Sequence, residues 1–376
     1  MTLKWEVKSL RDVCEKASSN VSQNQLANET GKHPIFGAGG FIKNVSFYHQ
    51  DKEYVAIIKD GAGIGRLSLL PAYSSVIGTL QYLVPKDVLD IRYFFYYLSS
   101  IDFNKYKNGS TIPHIYFRDY SVEPILVLPL AEQKRIVAVL DEAFDAIAKV
   151  KENADKNLTN ARELFELYST SIFTNCGSKW MERTFSEVCE IASVLVDPRI
   201  EEYLNLKHVG GANIVSKTGE LINLKTSKEE GLISGKFLFD STMVLYSKIR
   251  PYLMKVAQPT FKGLCSADIY PLSPKAGILD RKFLFHLLMS AKFTEYANTG
   301  SARAGMPKIN RDHLFAYRFM CPPLLTQKEI ASKLDVLRRN TDELESVYKQ
   351  KIADLEELKK SILQKAFSGE HVGANS

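Results

Sequence analysis

Long hydrophobic runs are missing from this chain of 376 residues. The longest near its middle, Ile125–Leu128, is only strand-length, and no stretch approaches the roughly 18 apolar residues that a membrane-crossing helix needs. The opening Met1-Thr2-Leu3-Lys4-Trp5-Glu6 has no apolar core of the kind a secretory leader carries. Cysteine is sparse. The five are scattered and odd in number, and none forms a Cys-x-x-Cys pair, which argues against zinc and for a reducing, cytoplasmic setting. The seven histidines show no metal-ligand spacing. Catalytic motifs are lacking too. Asp60-Gly61-Ala62-Gly63-Ile64-Gly65-Arg66 is glycine-rich. It lacks the Gly-Lys-Ser/Thr ending of a phosphate-binding loop and misses the Gly-x-Gly-x-x-Gly spacing, so it reads as a turn between strands Tyr54–Lys59 and Leu67–Leu70. No Asn/Asp-Pro-Pro-Tyr/Phe segment is present, and Asp197-Pro198-Arg199 does not replace one. An amino-methyltransferase centre is therefore not expected. His286, in an apolar helix, and Cys14 and Cys189 read as packing residues.

What is present is ordinary globular composition, 45% hydrophobic and 24% charged, with an uneven net charge of +6. Residues 1–128 carry a net +2, 129–176 a net −2, 177–321 a net +6, and 322–376 are neutral. Two globular blocks hold the excess of cations, as phosphate contact would require.

The chain repeats itself, and a repeat decides the architecture. Lys4-Trp5 matches Lys179-Trp180, Val13-Cys14-Glu15 matches Val188-Cys189-Glu190, and Ala17-Ser18 matches Ala192-Ser193, all 175 residues apart. Leu83-Val84-Pro85-Lys86 resembles Leu272-Ser273-Pro274-Lys275, each leading into an aromatic-rich helical stretch. Gly109-Ser110 resembles Gly300-Ser301, with Pro113 and Ile115 echoed by Pro307 and Ile309. Later, Pro129-Leu130, Gln133-Lys134, Ile136, Leu140, Asp141, Leu164 and Phe173 match Pro323-Leu324, Gln327-Lys328, Ile330, Leu334, Asp335, Leu358 and Phe367 at a constant offset of 194. Each half is thus a globular block of variable length followed by a segment of fixed length. Length changed where something is read and held where something is spaced.

The fixed segments have a coiled-coil period. Ile136, Leu140, Ala143, Ile147, Val150, Ala154, Ala161, Leu164 and Tyr168 step by three and four, with Asn157 as a polar interruption. Ile330, Leu334, Leu337, Leu344, Tyr348, Leu355, Leu358 and Ile362 do the same, interrupted by Thr341 and Lys351. Prolines 129, 322 and 323 precede the two helices, and Gly177 and Gly369 follow them. To bury its seam on the first helix, the second must run back along it. The expectation is an antiparallel pair roughly 60 Å long, joining two α/β (α+β) domains related by a pseudo-two-fold. The boundaries expected are 1–128 and 177–321 for the domains, and 129–176 and 322–376 for the helices with the tail.

These residues carry a resemblance. Leu128-Pro129-Leu130-Ala131-Glu132-Gln133-Lys134-Arg135-Ile136-Val137, with its second copy Pro322-Pro323-Leu324-Leu325-Thr326-Gln327-Lys328-Glu329-Ile330, resembles the opening of the spacer helices in type I restriction-modification specificity subunits. Leu363-Gln364-Lys365-Ala366-Phe367-Ser368-Gly369-Glu370 is similar to that family's C-terminal helix end. Trp5 and Trp180 resemble the tryptophans opening each target recognition domain. Ile35-Phe36-Gly37-Ala38-Gly39-Gly40, Gly300-Ser301 and Tyr246-Ser247-Lys248-Ile249-Arg250-Pro251-Tyr252-Leu253 resemble its loop motifs. Thr326, in place of an acidic residue, and Lys351 on the seam depart from the pattern. The resemblance implies a non-catalytic subunit that binds a bipartite double-stranded DNA target. It also implies two modification (methyltransferase) subunits and restriction subunits, an ATP-dependent endonuclease, as partners. S-adenosylmethionine, ATP and magnesium would belong to those partners and not to this chain.

DNA reading needs cations on phosphates and polar groups at base edges. The candidates are Lys43, Asn44, Lys59, Arg66, Ser110, Thr111 and His114 in the first domain, and Lys217, Lys248, Arg250, Tyr252, Ser301, Arg303 and Lys308 in the second. Two other readings compete. A DNA-binding scaffold or regulator of this architecture would lack methyltransferase partners, and a fused nuclease or methyltransferase would cut or label DNA alone.

Overall fold

The computed structural model describes residues 6–109, 111–174, 177–300 and 307–368. The chain forms two compact units: residues up to Asp155 together with those from Lys349 on, and residues 156–348. Each therefore holds one globular block and part of both long helices.

In the first unit, strand β1 (Glu6–Ser9) pairs antiparallel with β9 (Pro124–Val127), so the ends of the block meet. Between them lie β2 (Cys14–Ser18), β3 (His33–Gly37), β4 (Gly40–Val45), β5 (Tyr54–Ile58), β6 (Leu67–Leu70), β7 (Ser75–Val76) and β8 (Leu80–Pro85). A four-stranded antiparallel sheet has the order β2-β8-β5-β6, and a smaller sheet the order β4-β3-β7. All five residues of β5 are buried. Alternation explains how. Val55 and Ile57 face one core, with Leu10, Leu83 and Phe94, while Tyr54, Ala56 and Ile58 face another, with Val76 and Tyr82. Helix Ile91–Ser100 starts where the Asp90 carboxylate accepts from the backbone N–H groups of Arg92 and Tyr93. It buries Tyr93, Phe94, Tyr96, Tyr97 and Leu98. That apolar face is worth several kcal/mol at about 25 cal/mol per Å² of area removed from water.

The second unit repeats the plan with insertions. Strand β10 (Met181–Thr184) pairs with β20 (Arg318–Cys321). The core sheet is β11 (Cys189–Glu190), β19 (Ile269–Pro274), β16 (Val244–Ser247) and β17 (Val256–Ala257). The peripheral sheet has grown to five strands: β12 (Leu195–Val196), β15 (Lys236–Phe239), β18 (Gly263–Cys265), β13 (Lys207–Val209) and β14 (Lys225–Thr226). The sheet registers locate the growth. Cys14 pairs Pro85 as Cys189 pairs Pro274, at an offset of 175; Val55 pairs Leu83 as Val244 pairs Leu272, at 189. Most of the extra length thus falls between the first core strand and the central one, in the peripheral sheet. Asp280 caps helix Arg281–Leu288 as Asp90 caps its counterpart.

The long helices span Leu130–Thr174 and Leu324–Phe367. In the first unit Lys359 lies over the Phe144 ring at 5.1 Å and Lys151 meets Glu356 at 2.5 Å. Numbers rise on one helix and fall on the other, as antiparallel packing requires. In the second unit Arg162 forks onto Glu345 at 2.8 and 2.9 Å, and Phe173 shares a core with Leu334, in the same sense. Surface pairs of this kind add little by themselves, and the shared cores hold the helices. Val137, Leu140 and Leu363 sit in the first core, and Phe173, Ala331 and Leu334 in the second.

The expected seam needs correction. Ala154, Leu140 and Leu334 are buried as expected, but Val150, Leu164, Tyr168, Leu344 and Leu358 are exposed, Leu164 by 62%. Thr341, read as a polar interruption, is buried, its hydroxyl donating to the Leu337 carbonyl at 2.9 Å. Each helix packs against a globular block as well as its partner, so its buried stripe wanders off a strict heptad line. Asn157 and Lys351 are exposed. His286, Cys14 and Cys189 are buried, as expected of packing residues.

Candidate nucleic-acid interface

Both halves anchor their loops through one buried amide. The Gln133 side chain donates to the carbonyls of Val88 (2.8 Å) and Leu128 (2.7 Å) and accepts from the Asp90 N–H at 2.7 Å. Gln327 donates to Ile278 and Pro322 (both 2.8 Å) and accepts from the Asp280 N–H at 2.7 Å. Glutamine is needed because it offers two donors and an acceptor at one place. About two turns on, Asp141 receives Arg92 (2.6 Å) and Tyr96 (2.5 Å), while Asp335 receives Lys282 and His286 (both 2.7 Å). The aromatic helix is thereby fixed to the long helix in both units.

In the first unit three loops gather at one end of β5. The Lys59 carbonyl accepts from the Ile115 N–H at 2.9 Å, and the Gly61 N–H donates to the Pro113 carbonyl at 2.9 Å. Gly61 and Gly65 have φ of +94° and +79°, which the tight turn toward β6 requires; this is the turn expected from the sequence. Arg66 donates to the Ala38 carbonyl, tying the β3–β4 hairpin tip to the turn. Asp60 receives His114 at 2.7 Å and Lys59 at 2.5 Å. Burial raises the pKa of this carboxyl, but the two hydrogen bonds and the nearby cations outweigh it and hold it low.

The second unit builds the same frame. The Lys248 carbonyl accepts from the Ile309 N–H at 3.0 Å, and the Arg250 N–H donates to the Pro307 carbonyl at 2.8 Å. Lys217 N–H reaches the Met254 carbonyl. Lys217, Arg250 and Met254 have φ of 65°, 49° and 47°. Left-handed backbone at non-glycine residues costs about 1–3 kcal/mol each and persists at sites where shape is functional.

The frame brings Lys59, Arg66 and His114 together in the first unit, and Lys217, Lys248, Arg250, Tyr252 and Lys308 in the second. Thr111, Arg250, Tyr252, Lys308 and Lys217 are exposed. Others are held by local partners. Lys43 donates to the Leu26 carbonyl at 2.8 Å, Lys248 to the Ala267 carbonyl at 2.8 Å, and Lys248 also meets Asp268 at 3.1 Å. Asn44 stands exposed on β4 opposite Pro34, apart from the loop cluster. Ser110, Ser301, Arg303 and Trp5 lie outside the described residues. Sequence reading missed Asp60, the hub of the first cluster, because an Asp beside a Gly looks like an ordinary turn residue. It also missed the exposed apolar Phe41 and Ile112.

Comparison with known proteins places this geometry. The family described as type I restriction modification DNA specificity domain matches residues 2–158 and again 177–356. The chain belongs to that family. It is 26% identical to the type I restriction enzyme EcoDI specificity subunit of Escherichia coli, covering 97% of this chain and 88% of that protein. The fold is shared with a chain from a structural study of complex assembly and conformational transition of the type I R-M system (TM-score 0.72, 15% identity, 98% of this chain and 99% of that one). It is also shared with the HsdS subunit of Thermoanaerobacter tengcongensis (TM-score 0.60, 16% identity, 97% of each). The duplicated family match coincides with the repeat, and the chain is a type I restriction-modification specificity subunit. No helix among the described residues is long and apolar enough to cross a membrane.

Proposed function

We propose that the chain reads a bipartite DNA target, one half with each loop cluster, and holds the modification and restriction subunits in a cytoplasmic complex without chemistry of its own. The observation that carries this is a common frame with different edges. The backbone bonds at Lys59, Gly61 and Ile115 recur at Lys248, Arg250 and Ile309. The side chains on that frame differ: the backbone bridge carries Asp60 and His114 in one unit and Ile249 and Lys308 in the other. One scaffold bearing two chemistries suits two half-sites of different sequence. In this reading residues 1–128 and 177–321 are the readers, and Lys59, Arg66, Thr111, His114, Lys217, Lys248, Arg250, Tyr252 and Lys308 carry the contacts, with Lys43, Asn44, Ser110, Ser301 and Arg303 at their margins.

The exposed apolar residues on the long helices fit the partner side of the proposal. Val150 and Leu358 in the first unit are the repeat equivalents of Leu344 and Leu164 in the second. Each unit thus offers one copy of the same apolar surface, as two identical modification subunits would need. The test joins purified chain, modification subunits and DNA. Changing Arg250 and Lys308 to Ala is expected to relax choice in one half of the methylated motif and leave the other half unchanged. Loss of choice in both halves, or in neither, would refute the assignment of one half to each cluster. Native mass spectrometry is expected to show two modification subunits per chain, and one after Leu358→Ser.

A further inference from the structure

The repeat supplies an internal control for one cavity. In the first unit a recess between the aromatic helix and the long helices is small, about 220 Å³. Phe144 narrows it, packing on Tyr96 at 5.3 Å between ring centres beneath Lys359. In the second unit the equivalent recess has opened to about 610 Å³. The equivalence is residue by residue: Tyr96, Ser99, Phe144, Glu356, Lys359 and Leu363 become His286, Met289, Arg338, Arg162, Phe165 and Ser169.

The change is chemical as well as volumetric. Arg338 stands where Phe144 stood, stacked over the Phe285 ring at 5.7 Å and donating one N–H to the Lys217 carbonyl. No carboxylate among the described residues lies within ion-pair distance of it, although Arg162 across the cavity is fully paired to Glu345. Burial weakens its hold on the guanidinium proton in spite of Asp342 and Asp335 nearby. Glu166, Asp342 and Glu345 also line the cavity, but none is in ion-pair contact with this half-buried cation, and an anion on its free edge offsets its desolvation. Phe165, Met254 and Met289 give the walls apolar surface, and Ser169, Thr170 and Thr218 give hydroxyls. The volume lies within the range of sites for small organic ligands.

We propose that this cavity binds a compact organic anion, a single phosphate or carboxylate on an apolar or aromatic body, with Arg338 as the fork that receives the charge. The site belongs to the second unit alone, because its counterpart is about a third of the volume and has the Phe144 ring where Arg338 stands.

The full-length chain is titrated calorimetrically with adenosine monophosphate and with phenylacetate, each beside its neutral counterpart, adenosine and phenylacetamide. At least one anion is expected to saturate the protein at one site, with its neutral counterpart weaker by about tenfold or more, the worth of a charge-assisted hydrogen bond. Arg338→Phe installs the residue the first unit tolerates and is expected to abolish that binding. Arg338→Gln, close in shape and uncharged, is expected to weaken it by about tenfold and guards against a folding defect in the first variant. Absence of saturable binding by either anion, or equal binding to wild type and Arg338→Gln, would overturn the proposal.

Discussion

The two halves of this molecule share a skeleton and differ in what the skeleton carries. Shared are the amide knot of Gln133 and Gln327, the caps of Asp90 and Asp280, and the loop frame at Lys59 and Lys248. Different are the peripheral sheet, three strands against five, the loop side chains, and the residues clasped by the two equivalent aspartates. Backbone amide bonds tolerate side-chain change, so a duplicated frame can be kept while its edges diverge. Knots such as Gln133 cannot diverge, because a buried donor or acceptor left alone costs more than the bond it formed.

The comparison breaks most dramatically if the helices do not set the spacing between the readers. We expect that inserting four residues near Ala154, which adds about 6 Å and about 40° of rotation, will weaken binding to the native target by about a hundredfold or more, since one reader then loses its half-site. Binding is expected to return on targets with a longer gap and the same half-site bases. A protein that accepts new bases at the old gap would show that the helices are not a ruler. Exposed Asn157 lies close to the insertion, so local repacking should take up part of the rotation.

Next in size is the amide knot. Gln133→Ala and Gln327→Ala each strand an N–H and two carbonyls, and each is expected to destabilise its own unit by about 2–4 kcal/mol. Urea unfolding followed by hydrogen exchange would localise the loss. A large effect in one unit and none in the other would show that the shared geometry is not a shared role.

The smallest effect is a difference in pH response. His286 is buried against Asp335, with Lys282 and Arg338 nearby; burial and those cations outweigh the aspartate and lower its pKa from 6.5. His208 is lowered as well, burial outweighing Glu230. A histidine held neutral in the fold binds its proton more readily when unfolded. Stability of the second unit is therefore expected to fall as pH drops below about 6.5, by at most about 1.4 kcal/mol per pH unit for each proton. Tyr96 takes the place of His286 in the first unit, so His286→Tyr should reduce the slope. Thermal unfolding between pH 7.5 and 5 measures it, and an unchanged slope would remove His286 from the account.

The sequence carried the repeat because paired buried positions leave paired letters: Cys14 and Cys189, Gln133 and Gln327, Asp141 and Asp335. It carried the helices because proline, glycine and a three-four period mark their ends and faces. It carried the turn at Gly61 because positive φ restricts the choice of residue. It did not carry Asp60 as a hub, since His114, 54 residues on, joins it only when the end of strand β5 and a distant loop converge. Nor did it show that Lys43 and Lys248 are held by carbonyls and, for Lys248, an aspartate.

By itself, then, the sequence determined a duplicated architecture, two long helices, the absence of familiar catalytic motifs and the family, all of which depend on residue type and spacing along one dimension. Only the tertiary structure decided which helix positions are buried, because each helix answers to two neighbours and a heptad records one. It alone decided that Lys43, Arg66 and Lys248 are held, since the carbonyls they meet lie 17, 28 and 19 residues away. It alone set Arg338 against Phe144, two residues at one place in the repeat, and placed them in recesses of about 610 and 220 Å³ whose other walls differ as well.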